Sequence, residues 1–92
     1  MNESNITENR IWKYRNTNGL TQEELAFLIG QDKGSQISRY EKGRMIPKLA
    51  QLIKLCYVMG IEIESLYPDL VNKWKREVEE KKEKLKNTKK YG

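Results

Sequence analysis

Apolar residues along the chain fall into short runs at a spacing near 3.6, separated by Gly19, Gly30, Gly34, Gly43, Pro47, Gly60 and Pro68. No stretch sustains the strict alternation of a half-buried strand, and none repeats internally, so the expected class is all-α. The first run, Thr7 to Thr17, sets Ile6, Ile11 and Tyr14 near one helical face. Asn5 with Glu8 has the form of a capping box, and Asn18-Gly19 closes the helix because glycine takes the left-handed conformation cheaply. Thr21 then reads as an N-cap with Glu24 as its reciprocal partner. The helix Gln22–Ile29 follows, with Leu25, Leu28 and Ile29 inward and Gly30 as its stop. The third segment, Gly34–Lys42, turns Ile37 and Tyr40 to one face; either Asp32 or Ser35 is chemically able to cap it. Pro47 disfavours helix at Ile46, so Arg44–Pro47 is extended. Lys48–Met59 is apolar nearly all round, which predicts the buried centre of a bundle. Gly60 ends it, and Glu62–Tyr67 makes a short fifth helix stopped by Pro68.

The character changes at Asp69. Leu70, Val71, Trp74, Val78 and Leu85 form a sparse stripe, and Glu77–Lys81 and Glu80–Lys84 are i,i+4 pairs in the favourable order. One exposed helix is expected to about Lys86, then a frayed end. The chain therefore divides into a domain over 1–68 and a charged helical extension over 69–92. A solvated helix is the default for such composition. The seven-residue spacing of Val71, Val78 and Leu85 also allows a dimerisation helix, and Lys81–Lys90 could meet phosphates.

Charge sharpens this division. The 92 residues carry 18 Lys+Arg and 13 Asp+Glu, a net charge of +5. Residues 1–68 hold 9 basic and 8 acidic side chains, whereas residues 69–92 hold 9 and 5. The domain is nearly neutral and the extension carries most of the excess.

Several functions are excluded by what the composition lacks. There is no histidine, hence no imidazole for a triad, a zinc site or a pH switch near neutrality. One cysteine makes neither an internal disulfide nor a Cys-rich metal site, and Cys56, amid apolar residues, reads as a small core residue. No nucleophile–base pair, phosphate loop or metal-spaced acid cluster is visible; neither enzyme activity nor a cofactor is expected. The N-terminus has no signal-like apolar region and no window is long enough for a membrane span. A reduced thiol in a small basic chain points to the cytoplasm. Trp12 and Trp74 read as packing residues, Trp74 pinning the last helix to the body or to a second subunit.

Two short helices joined by a turn between a leading helix and an apolar fourth make the helix-turn-helix arrangement, whose second helix enters the major groove. With Ile37 and Tyr40 needed by the core, Lys33, Ser35, Gln36, Ser38, Arg39 and Lys42 are left facing outward, and Gly34 opens the backbone to close approach. Lys33–Lys48 holds five basic residues and one acid, Glu41. Gln22 stands at the first turn of the second helix, where free N–H groups and the dipole favour a phosphate. Gln36 and Arg39 share one face and are the side-chain types that read adenine and guanine edges. Arg39 could instead pair with Asp32 or Glu41.

Residues 11 to 67 resemble the lambda-repressor/Cro-like (Xre-type) helix-turn-helix domain of bacterial and phage regulators. The matching segments are Gly19-Leu-Thr-Gln-Glu-Glu-Leu-Ala26, Ile37-Ser-Arg-Tyr-Glu-Lys-Gly43, Pro47, and Leu52-Ile-Lys-Leu55 leading to Met59-Gly60-Ile61. The resemblance implies a five-helix domain, sequence-specific duplex DNA binding, transcription regulation in a bacterial or phage-encoded, nucleoid-associated protein, and commonly a homodimer. It places the phosphate-contacting glutamine at Gln22, base readers around Gly34, Ser35, Gln36 and Arg39, and later phosphate contacts at Lys42 and Arg44. Glu41 falls on the acid that braces the domain internally. Gly30 to Ile37 spans seven positions where the common pattern has six, so the turn holds one extra residue and Lys33 stands where a capping serine is ordinary. The expected function is a repressor or activator that acts by occupying DNA through Gly34–Lys42. The alternative is an antitoxin-like or phage accessory regulator whose C-terminal helix binds a partner protein.

Overall fold

The computed structural model describes residues 6–91, with the side chains of 6–89. Six helices follow in chain order: α1 (Ile11–Thr17), α2 (Gln22–Leu28), α3 (Gly34–Glu41), α4 (Leu49–Met59), α5 (Ile63–Leu66) and α6 (Pro68–Tyr91). The expected all-α class holds. One core joins them, made of Ile11, Leu25, Ala26, Ile29, Ile37, Tyr40, Leu55, Met59, Leu66 and Tyr67. Burying each of its larger apolar side chains contributes roughly 1.5–3 kcal/mol. The core draws on each of the first five helices and on Tyr67, which links α5 to α6, and α3 packs chiefly against α2 and also against α1.

Helix α1 begins four residues later than the apolar spacing predicts. Asn9 sets the start: its Oδ1 accepts from the Ile11 N–H at 3.0 Å, and its Nδ2 donates to the Tyr40 carbonyl at 2.8 Å. Residues 6–10 instead run as a strap beside the end of α3, where the Thr7 N–H donates to the Gly43 carbonyl at 2.8 Å. Glycine is required at position 43. Its φ is +74°, and a Cβ would lie 2.3 Å from the Thr7 carbonyl oxygen, a backbone atom that cannot step aside. The Asn5–Glu8 capping box lies outside the described residues.

The start of α2 is as expected: Thr21 Oγ1 accepts from the Glu24 N–H, and Glu24 returns a carboxylate oxygen to the Thr21 N–H at 2.9 Å. Its inward face is different. Leu28 is half exposed, and Ala26 is buried in the core beside Leu25 and Ile29. Lys33 is the N-cap of α3 and contributes no side-chain hydrogen bond, so neither Asp32 nor Ser35 caps the helix. The Gly34 N–H donates to Glu23 Oε2 of α2 at 3.3 Å. The capping acceptor thus comes from the neighbouring helix.

The largest correction concerns α4. Only Leu55 and Met59 are buried within it, while Leu49, Ile53 and Tyr57 are 73%, 60% and 87% exposed. These three lie at i, i+4 and i+8 and form one bare apolar stripe. Gly60 closes the helix at φ +66°, as read from the sequence.

Pro68 opens α6 as its first residue, a position that needs no N–H, and the helix runs through Tyr91 rather than fraying after Lys86. Among the described residues its internal ion pairs are Glu79–Lys82 at 3.4 Å and Glu83–Lys86 at 3.8 Å, both i,i+3, in place of the expected i,i+4 pairs, and Lys75 pairs with Glu64 of α5 at 3.8 Å. Only Leu70 and Val71 pack against the core. Trp74, Val78 and Leu85 remain 50–55% exposed, so Trp74 does not pin α6 to the body. Trp12 is likewise exposed and is not a packing residue.

Candidate nucleic-acid interface

The orientation of α3 is set from behind by a cluster of polar groups. Glu41, at its last turn, is 6% exposed in its side chain and faces Arg15 of α1. Arg15 donates to Glu41 through Nε, and through Nη2 at 3.2 Å, while Nη1 donates to the Leu20 carbonyl at 2.9 Å. Gln22 Nε2 donates to Glu41 Oε1 at 2.9 Å. A buried ion pair holds only when its remaining lone pairs and protons are also satisfied. Here the carboxylate meets three donors, and the guanidinium gains a backbone acceptor. The expected bracing role of Glu41 is present, and α1, α2 and α3 are fixed at one point.

Further contacts hold the turn before α3 and the start of the helix. Gln31 Nε2 donates to the Tyr40 hydroxyl at 2.8 Å, tying the turn to the helix, and the backbone N–H of Gln31 donates to Ala26 at 2.8 Å. Glu23 occupies the space beside Gly34: a Cβ there would meet the Glu23 carboxylate at 2.6 Å. Gly34 is buried, and its openness is used by Glu23. The sequence pattern expects this glycine to open the backbone to DNA; in the structure the exposed Glu23 side chain lies over that position.

The other expected site residues lie around the outward face. Lys33, Ser35, Arg39, Lys42 and Arg44 are exposed, and Gln22, Gln36 and Ser38 are half-buried. Within the described residues, the side chains of Lys33, Arg39, Lys42 and Arg44 make no ion pair and no hydrogen bond. Arg39 in particular pairs with neither Asp32 nor Glu41; the latter is already engaged by Arg15. Gln22 stands at the first turn of α2 as expected, with its amide nitrogen also bracing Glu41, and its dual position was not visible from spacing. Gln36 keeps its side-chain carbonyl enclosed and without a donor, which turns its amide nitrogen toward the outside.

Arg15, Glu23, Asn9 and Gln31 were missed by the sequence reading. Arg15 follows Ile11 by four residues, which places it on the same inward face, and that spacing was its available signal. Among the described residues no three acidic or cysteine side chains gather as a metal site. No helix among them is long and apolar enough to cross a membrane. Burial, followed by the nearby Glu64 carboxylate, pushes the Cys56 thiol above its usual range, as suits a half-buried packing residue.

Comparison with known proteins agrees with this geometry. Residues 12–66 match the family described as helix-turn-helix. The chain is similar to the restriction-modification controller protein C.AhdI from Aeromonas hydrophila, known from a crystal structure, at 38% identity and a TM-score of 0.52. The match covers 58% of this chain and 79% of that one. No curated protein matches.

Proposed function

The chain belongs to the helix-turn-helix family, and from that premise we propose that it is a transcriptional regulator that binds duplex DNA sequence-specifically through α3 in the major groove. The single observation that carries this reading is the outer face of α3 and the loop after it. Arg39, Lys42 and Arg44 stand exposed and without partners among the described residues, beside a helix held at both ends. In the proposed complex Arg39 reads a base edge, with Ser35, Gln36 and Ser38 beside it. Lys42, Arg44, Lys33 and Gln22 contact phosphates and fix the register. The protein acts by occupancy, blocking or recruiting polymerase, and performs no catalysis.

A homodimer fits the same reading, favoured by the exposed Leu49–Ile53–Tyr57 stripe of α4. A bare stripe of three large side chains is unusual on a monomer and suits an isologous contact. The domain over residues 1–68 carries the DNA-binding work and α6 is an addition to it. Selection of bound sequences from a random duplex pool tests the reading. The expected result is one enriched sequence arranged as an inverted repeat. Recovery of no preferred sequence at low salt contradicts the assignment.

A further inference from the structure

Beside the outer face of α3, the turn and the helix enclose an open cleft of about 430 Å³, lined by Gln31, Asp32, Lys33, Ser35, Gln36 and Arg39. Asp32 is the one acid in it. The turn that carries Asp32 is fixed on both sides: Gln31 is tied to Ala26 and Tyr40, and Gly34 to Glu23. The Asp32 carboxylate is exposed and receives no hydrogen bond or ion pair from the described residues. It does not cap α3, since the N-cap is Lys33 and no side chain of the turn bonds the helix end. Across the cleft, the Arg39 guanidinium is equally unengaged.

An acid and a base therefore share one cleft without neutralising each other. A carboxylate at a DNA-facing surface repels phosphate, so Asp32 does not serve general affinity. In the major groove it has a specific complement. Carboxylates accept from the N4 amino group of cytosine, and guanidinium groups donate to O6 and N7 of guanine. Resting on the DNA-binding reading above, we infer that Asp32 is a specificity-determining residue that accepts the N4 amino group of a cytosine, beside a guanine read by Arg39. A turn tied on both sides of Asp32 suits this role because binding has to order only the side chain and not the loop that carries it.

The test is selection from a random duplex pool with the natural protein and with Asp32→Ala, alongside thermal melts of both. The natural protein is expected to enrich a sequence with cytosine strongly preferred at one position. In the Asp32→Ala pool that preference, about tenfold or more, disappears while the other positions keep theirs. Affinity for duplexes lacking the sequence rises about twofold or more, because a repelling charge is gone. The melting temperature stays the same, as the carboxylate has no internal partner. An unchanged preference at every position overturns the inference, and so does an equal weakening at all positions. A natural protein that enriches no sequence contradicts the DNA-binding reading itself, and this inference falls with it.

Discussion

Behind α3, the Glu41 carboxylate receives Arg15 through two nitrogens and Gln22 through its amide, and Arg15 is further anchored on the Leu20 carbonyl. In front of it, Arg39, Lys42 and Arg44 are exposed and have no partner among the described residues. The same kinds of side chain are saturated on one side of the helix and unengaged on the other. The rear contacts set where the helix lies, and the front groups are left for a ligand. Substitutions behind α3 should therefore change stability first and binding as a consequence. Substitutions in front should change binding alone.

The largest expected effect is at the rear. Arg15→Ala leaves a buried carboxylate without its cation and should cost about 3–5 kcal/mol, read from urea unfolding. DNA binding by this variant should fall on all sequences together, in proportion to the folded fraction. A loss of less than about 1 kcal/mol would put Arg15 among the surface pairs of little consequence.

Lys42→Ala is the corresponding change in front, with a smaller effect. It should leave the unfolding curve in place, weaken cognate and random duplexes alike, and shallow the slope of log K against log salt by about 1. A change in sequence preference would move Lys42 from the phosphates to the bases.

The smallest effect concerns Tyr67, whose hydroxyl is enclosed without a partner among the described residues. Burial first, and then Tyr40 and Cys56, push its phenol well above the ordinary value of 10.0. The folded state thus keeps a proton that the unfolded chain releases. The stabilisation is complete below pH about 10 and is lost as pH rises beyond it. Tyr67→Phe should be within about 1 kcal/mol of the natural protein at neutral pH, since it removes an unsatisfied group. It should also show a shallower loss of stability above pH 10, measured by urea unfolding across that range.

The pattern of apolar and polar residues located the helices well where a local rule decides them. The Thr21–Glu24 capping box, the Gly60 stop and the inward pair Ile37 and Tyr40 needed no tertiary information. Positions decided by a neighbour in space were harder to read. Asn9 starts α1 by bonding to Tyr40, and Glu23 caps α3 across the gap between helices. Leu28 stays half exposed while Ala26 takes the buried place. The exposed stripe of α4 shows the limit of periodicity: an all-round apolar helix must find cover, but its sequence does not say that the cover comes from the same chain. The outward residues of α3 were legible because the core claims Ile37 and Tyr40 and leaves the rest. That Glu23 fills the space beside Gly34 was not legible, because it lies eleven residues away in sequence.

The most direct test of the account is the affinity of Arg39→Ala for the selected duplex and for a scrambled one at the same salt concentration. A base-reading Arg39 predicts a loss of about 1–3 kcal/mol on the selected duplex, relaxed preference at one base pair and little change on the scrambled duplex, with the unfolding curve unmoved. Equal losses on both duplexes would contradict it and reduce Arg39 to a phosphate contact.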